Sequence, residues 1–191
     1  MDTPEKLKHF LLRTGMTIAT AESLTAGNLG ALIASVSGSS AYFLGGDIVY
    51  NIDQKVGRLG VGREHAASCN CVSAQVAREM AAGCRQALRA DIALATTGYA
   101  EPWYEESVLK HHAHAYYAIN MRGVVLEGMV GGGDRGRVEM QMYVARRVLE
   151  RLVQFLDHLE SGDVDLPPSD LEKLKDLFFQ LHRTRPLTEP S

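Results

Sequence analysis

A serine and a lysine stand where this chain could carry out acyl transfer. Ser23 lies in the segment AESLTAG, at which a short apolar run gives way to a small-residue, leucine-rich stretch. This pattern is typical of a strand that turns into a helix, and such a turn exposes a hydroxyl beside helix-terminal amides that can hold a developing oxyanion. Taken alone, the segment favours the simpler interpretation that Ser23 or Thr25 only caps the helix.

Lys55 supplies a possible base for this serine. It follows a second glycine-rich strand, GGDIVYN, and Tyr50 precedes it by five positions. A lysine that is buried or lies beside another cation can lose its proton near neutral pH. The amine can then take the serine proton, so that the oxygen attacks a carbonyl and forms an acyl-enzyme, which water later cleaves. On its own the lysine indicates little, because most lysines are solvated surface groups.

A third candidate is Arg135, at the end of GGGDR over residues 131–135. Arginine can bind a phosphate or carboxylate through two hydrogen bonds, and the helix expected to follow adds positive potential at its N-terminus. The alternative is that the glycines form the turn and Asp134 caps the helix. Both interpretations can hold together.

Length and composition predict what must position these residues. The chain has 191 residues, 46% of them hydrophobic, which suffices for one domain with a sizeable core. The net charge is −3 and no lysine or arginine block stands out, so a nucleic-acid partner is not expected. Without a signal sequence or a long apolar run, the chain is expected to be cytoplasmic and not to bind a membrane.

Helices interleaved with apolar strands predict a three-layer α/β/α sandwich with a mixed sheet. The domain is expected over residues 1–160, and residues 161–191 are expected to form a linker, an amphipathic helix and a tail. The last helix should open at Ser169 and bury one apolar stripe. Residues 99–113 are predicted to be an irregular loop. Strands are predicted at 16–21, GGDIVYN, DIALATTG, HAYYAINM and VVLEGMVG, and the last two are expected to pair as a hairpin. Helices are predicted after AESLTAG, at 52–58, from Ser73 and at 137–159. The apolar stripe of the last helix consists of Leu171, Leu174, Leu177, Phe178 and Leu181.

Cysteines and histidines offer weaker signals. Cys69, Cys71 and Cys84 are expected to be reduced thiols, because an odd number of cysteines without an export signal gives little support to disulfides. His112 and His114 would face the same side of a strand, so a metal site that includes His111 is a minor alternative. These histidines are more simply expected to line a pocket or a subunit surface.

The motifs in series resemble the C-terminal domain of the CinA family. The resemblance rests on AESLTAG, GSSAYFLGGDIVYNIDQK, LGV, CVSAQVAREMAAG, ATTGYAEP and GGDR, in that order over about residues 6–158. It implies an α/β/α fold, a homodimer or larger homo-oligomer, and hydrolysis of nicotinamide mononucleotide to nicotinic acid mononucleotide and ammonia, with no metal or other cofactor. The small-molecule partner that it implies is a pyridine nucleotide.

The resemblance also implies roles for individual residues. Ser23 matches the family nucleophile, Lys55 its base and Tyr50 the tyrosine that precedes this base, which makes these three the expected catalytic residues. Thr97 and Gly98 match the start of the substrate loop. The full set of expected substrate-binding residues is Thr25, Gly27, Gly46, Thr97, Gly98 and Arg135.

Two departures from the family pattern leave a second hypothesis open. Glu101 replaces a glycine of the substrate loop, and Glu105 and Glu106 follow it, so that carboxylates would repel a nucleotide phosphate unless they point away. Glu139 stands where many relatives carry a second arginine. The first hypothesis is therefore a serine amidohydrolase acting on this nucleotide or a related carboxamide, and the alternative is a catalytically silent relative that acts as a binding or interaction protein.

Overall fold

The computed structural model describes residues 2–174 of the chain, which form helices and strands. The helices are α1 (Thr3–Thr14), α2 (Asn28–Ala34), α3 (Ile52–Leu59), α4 (Arg63–Ser68), α5 (Ala74–Leu88) and α6 (Arg137–Ser161). The strands are β1 (Ile18–Glu22), β2 (Phe43–Ile48), β3 (Ile92–Tyr99), β4 (Trp103–Glu105), β5 (Val108–His111), β6 (His114–Met121) and β7 (Val124–Gly131).

Five strands form one mixed sheet in the order β2-β1-β3-β6-β7. β1 pairs in parallel with both β2 and β3, whereas β6 is antiparallel to β3 and β7 is antiparallel to β6. The predicted hairpin of β6 and β7 is confirmed, and Arg122 and Gly123 form its turn with φ of 49° and 91°. Because β1, β2 and β3 run the same way, their carboxyl ends lie at one edge of the sheet, where open α/β sheets bind ligands.

Helices cover both faces of the sheet, which confirms the three-layer sandwich. On one face α1, α2 and α6 pack through buried side chains such as Leu11, Ile33 and Val148. On the other face α3, α4 and α5 pack through Leu59, Ala66 and Met80. Among the helices of residues 2–174, none is long and apolar enough to cross a membrane.

The helix after α6 begins two residues earlier than a cap at Ser169 predicts. It is helical from residue 168, and the backbone N–H of Leu171 donates to the carbonyl of Pro167 at 3.0 Å, so Ser169 lies inside the first turn and does not cap it. Leu174 is fully buried in the core beside α6, so the main domain covers this end of the stripe. The predicted stripe residues Leu177, Phe178 and Leu181 lie outside the described residues.

The expectation of an irregular loop at 99–113 is wrong. β3 continues to Tyr99, and β4 and β5 then form a small antiparallel hairpin. Aromatic and β-branched residues in this segment favour extended backbone. Its two-residue turn consists of Glu106 and Ser107, with φ of 49° and 66°, and lacks the Asn-Gly or Asp-Gly pair that usually signals such a turn.

Candidate active site

A cavity of about 1010 Å³ opens at the carboxyl edge of the three parallel strands. Ser23 enters it directly after β1, Lys55 from the first turns of α3 after β2, and Thr97 from the end of β3. The β4–β5 hairpin and the start of α6 form its outer wall. The topology therefore brings together residues that are far apart in the sequence.

Ser23 is held at the end of β1 by the neighbouring strand. Its backbone N–H donates to the carbonyl of Thr96 at 3.0 Å, and its side chain is buried. Neither Ser23 nor Thr25 caps α2, because the N-cap is Gly27, which has no side-chain cap. The hydroxyl of Thr25 instead hydrogen-bonds the hydroxyl of Thr96 at 2.7 Å. The capping interpretation is therefore wrong for both residues, which leaves the Ser23 hydroxyl in the cavity.

The first amides of α2 are already occupied by a carboxylate of the protein itself. Glu22 accepts hydrogen bonds from the backbone N–H groups of Gly27, Leu29 and Gly30 at 2.9, 3.0 and 2.7 Å. Its side chain is buried, and it compensates the positive end of the helix. Those amides are therefore not available to an oxyanion, whereas Leu24, the residue after Ser23, does line the cavity.

Lys55 is buried, with 1% of its surface exposed, and its amine faces Ser23. The Nζ atom lies 3.0 Å from the Ser23 Oγ, 2.7 Å from the carbonyl oxygen of Val49 and 3.3 Å from that of Tyr50. Burial lowers the pKa of this amine, and the nearby thiol of Cys71 opposes the shift only in part. Burial thus shifts the protonation equilibrium of Lys55 towards the neutral amine, the form that can accept a proton.

The helix that carries Lys55 is fixed by its own cap. The Asn51 side chain accepts from the backbone N–H of Gln54 at 2.9 Å, and Gly60 closes the other end in a left-handed conformation. Lys55 lies one turn after Asn51, on the face directed at the sheet. A short capped helix therefore aims the amine at the carboxyl end of β1.

Tyr50 lines the cavity, but its hydroxyl contacts an arginine instead of the serine–lysine pair. Arg137 donates to the Tyr50 hydroxyl at 2.6 Å and to a Glu101 carboxylate oxygen at 2.6 Å. The hydrogen bond with Glu101 is the main cause that raises the pKa of Arg137. We did not predict Arg137 as a site residue, although DRGR places it two positions after Arg135, at the first residue of α6.

Thr97 and Gly98 line the cavity, and both also hold the structure around it. The Thr97 hydroxyl donates to the carbonyl of Cys71 at 2.6 Å, which ties the segment before α5 to β3. A Cβ on Gly98 would lie 2.2 Å from the carbonyl oxygen of His114. Only glycine permits this approach of β6, so the position constrains the sheet as well as the cavity.

The other predicted residues lie outside the cavity lining. The absent Cβ of Gly46 would lie 2.1 Å from the Thr20 Oγ1, so this glycine allows β1 and β2 to approach. The Arg135 guanidinium stacks 3.8 Å from the centre of the Tyr143 ring and donates to the carbonyl of Gly132 at 2.8 Å. Gly136 occupies the N-cap of α6 without a side-chain cap, so the interpretation of Asp134 as a cap is wrong.

The rings of His111 and His114 both pack against Tyr99, but their polar contacts differ. His111 stacks on Tyr99 with ring centroids 3.5 Å apart and lines the cavity, whereas the Nδ1 atom of His114 hydrogen-bonds the carbonyl of His112 at 2.8 Å. Within residues 2–174, no group of three histidine, cysteine or acidic side chains could hold a metal ion. His111 therefore contributes an aromatic surface to the outer wall.

The sequence matches the family model described as the CinA C-terminal domain over residues 2–156. A CinA-like protein of Chlorobium chlorochromatii is 44% identical over 162 residues, which are 83% of this chain and 38% of that protein. A putative competence-damage inducible protein of Halothermothrix orenii is 46% identical over 99 residues, or 52% of this chain and 24% of that protein. The chain thus spans only a minor part of the length of these relatives.

Solved structures of related proteins have a similar fold. The competence/damage inducible protein CihA of Agrobacterium tumefaciens superposes with a TM-score of 0.72 at 32% identity, covering 82% of this chain and 96% of that one. The competence or damage-inducible protein of Enterobacter asburiae gives a TM-score of 0.73 at 28% identity, covering 81% and 96%. These similarities extend over nearly the whole of both solved chains.

Proposed function

Because the chain belongs to the CinA C-terminal domain family, we propose that it is a serine amidohydrolase that cleaves the carboxamide of nicotinamide mononucleotide or of a related pyridine compound. The observation that carries this proposal is the contact of 3.0 Å between the Lys55 Nζ and the Ser23 Oγ in a buried site. A buried amine with a lowered pKa beside a hydroxyl is a combination suited to nucleophilic catalysis.

The surroundings of Lys55 suit a base. The Lys55 Nζ lies within hydrogen-bond distance of the carbonyls of Val49 and Tyr50 and of the Ser23 Oγ. In the neutral form the amine has two N–H groups for the two carbonyls and one lone pair that can accept the Ser23 proton. Once protonated, the amine has a third N–H that it can give to the leaving nitrogen.

The proposed reaction has two steps, acylation of Ser23 and deacylation by water. Lys55 takes the hydroxyl proton while the Ser23 oxygen bonds to the amide carbon, and the carbonyl oxygen becomes an oxyanion. We assign its stabilisation to the backbone N–H of Leu24, on the residue after the nucleophile. The Lys55 ammonium gives its proton to the nitrogen, the C–N bond breaks, and ammonia leaves an acyl-enzyme. Water, deprotonated by Lys55, then releases the acid and restores Ser23.

A ligand-binding relative without catalysis is the second candidate. The observation that favours it is the ion pair of Glu101 with Arg137, because it places a carboxylate in the lining of the cavity, where it would repel a nucleotide phosphate. The homo-oligomer and the cytoplasmic location expected from the sequence stay predictions under either candidate.

Ammonia release tests the proposal directly. Purified protein is incubated with nicotinamide mononucleotide and, separately, with its dephosphorylated nucleoside, and ammonia is measured over time. Ser23→Ala should lower turnover by about a thousandfold or more, as for loss of a catalytic nucleophile. Ser35→Ala, at an exposed serine that ends α2, is the matched control and should behave like the unaltered protein. Equal ammonia release by all three proteins would reject Ser23 as the nucleophile.

A further inference from the structure

One side of the cavity mouth is closed by three side chains from different elements. Glu101 follows β3, Arg137 begins α6 and Tyr50 follows β2, and the guanidinium bonds both the carboxylate and the phenol at 2.6 Å. All three line the cavity that contains Ser23 and Lys55. Such a partly exposed ion pair adds little to stability. Its position matters more, because a ligand bound at Ser23 shares the cavity with this ion pair.

The cations of the cavity are already engaged. Within residues 2–174, Lys55 and Arg137 are the lysine and arginine side chains of the lining. Lys55 contacts Ser23 and two backbone carbonyls, and Arg137 is paired with Glu101. Arg135 is directed elsewhere, stacked on Tyr143. A phosphate group in this cavity would therefore find no lysine or arginine from the described residues that is free of a partner.

A phosphate dianion can bind at Arg137 in two ways, and each has an energetic cost. It can displace Glu101 from Arg137, which leaves that carboxylate without its partner. It can instead use the remaining N–H groups of Arg137, which brings two like-charged groups close together. A nucleoside without phosphate meets neither obstacle, and its uncharged hydroxyls can hydrogen-bond both Glu101 and Arg137.

We propose that this site takes a pyridine carboxamide without a phosphate group in preference to the phosphorylated form, and that Glu101 determines this preference. The inference rests on the proposed function, because it concerns the substrate class of the same site. Glu101 acts as a specificity residue, through its charge and through its hold on Arg137. Replacing the carboxylate by an amide removes the repulsion and releases the guanidinium for a phosphate.

Binding measurements separate this inference from catalysis. Ser23→Ala protein prevents turnover, and titration calorimetry gives the dissociation constants of nicotinamide mononucleotide and of its dephosphorylated nucleoside. The nucleoside should bind more tightly. Adding Glu101→Gln should tighten nucleotide binding by about tenfold, the effect of one exposed carboxylate on a nearby dianion in water, and change nucleoside binding less than twofold. Glu105→Gln, four residues further along the chain in β4 and paired with Lys110, is the matched control and should change neither constant.

Each result has a defined meaning. The inference would be overturned by tighter binding of the nucleotide than of the nucleoside in the presence of Glu101. An equal effect of Glu101→Gln on both ligands, or no binding of either ligand at millimolar concentration, would also overturn it. Adding Arg137→Gln to Glu101→Gln should reduce the gain for the nucleotide, because the phosphate then loses the released guanidinium, and an undiminished gain would overturn the role of Arg137 in the inference. Preferential nucleoside binding without ammonia release would support the inference and reject the proposed function. Ammonia release with a preference for the nucleotide would reject the inference and support the proposed function.

Discussion

Replacing Lys55 by methionine should abolish turnover and also change how the stability of the protein depends on pH. Methionine has a similar length and no titratable group, so it fills the same buried space. The substitution removes the base and leaves the carbonyl of Val49 without the amine at 2.7 Å. Losing partners for buried polar groups costs about 1–3 kcal/mol each, and this cost does not vary with pH.

The pH-dependent part follows from the lowered pKa of Lys55. Burial lowers the pKa in the folded protein below the ordinary value of 10.5. Between the folded pKa and 10.5, the unfolded chain holds a proton that the folded protein lacks, so the stability of the unaltered protein rises with pH. The slope reaches at most about 1.4 kcal/mol per pH unit. As pH falls through the folded pKa, this contribution is lost, and below that value the slope vanishes.

Urea unfolding followed by far-UV circular dichroism between pH 6 and pH 10 measures both proteins. The advantage of the unaltered protein over Lys55→Met should shrink as pH falls through this window. Lys6→Met, at a side chain that is 49% exposed, is the control and should show no such trend. A difference between the two proteins that stays constant over the whole window, or that grows as pH falls, would refute the lowered pKa of Lys55.

Three further changes test the frame around the site. Gly98→Ala should lower the free energy of unfolding in urea by about 3 kcal/mol, because the new Cβ would lie 2.2 Å from the carbonyl oxygen of His114. As a control, Gly57→Ala changes an exposed helical glycine whose added Cβ would meet no atom within 4 Å, and it should raise the free energy of unfolding by about 0.5–1 kcal/mol. Equal effects of the two changes would contradict the close approach of β6. Glu22→Gln should lower the same free energy by about 1–3 kcal/mol, since an amide has one acceptor oxygen for three backbone N–H groups; an unchanged urea midpoint would count against this anchor. Burial raises the pKa of Cys84 to about 12, so a thiol reagent at pH 8 should label this residue only after denaturant is added, and fast labelling of the native protein, seen by peptide mass, would disagree.

Much of the fold could be predicted because hydrophobic periodicity and turn residues both identify its elements. The β6–β7 hairpin and the cap of α5 by Ser73 follow directly from the sequence. The β4–β5 hairpin was missed because its turn, Glu106 and Ser107, has no glycine or asparagine to indicate positive φ. The helix after α6 was placed two residues late, because Ser169 resembles a cap but lies inside the first turn.

The candidate site was predictable only in its residue types. The family resemblance singled out Ser23 and Lys55, and the structure brings them within 3.0 Å. Nothing local in the sequence shows that Glu22 occupies the α2 amides, since this depends on how β1 ends beneath the helix. The same holds for Arg137, whose direction differs from that of Arg135 because one begins α6 and the other precedes it. Contacts between distant elements thus decide which arginine faces the cavity.

The β4–β5 hairpin has a consequence for how this protein can change over evolution. β3 and β6 pair along their whole length, from Ile92 opposite Met121 to Tyr99 opposite His114. The hairpin therefore leaves and rejoins the sheet at two residues that are already paired, and it contributes no strand to the five-stranded sheet. Mutations and length changes in this segment can accumulate with little loss of folding free energy, while they remodel the wall beside Ser23. New substrate preferences can therefore arise without an accompanying set of compensatory core mutations.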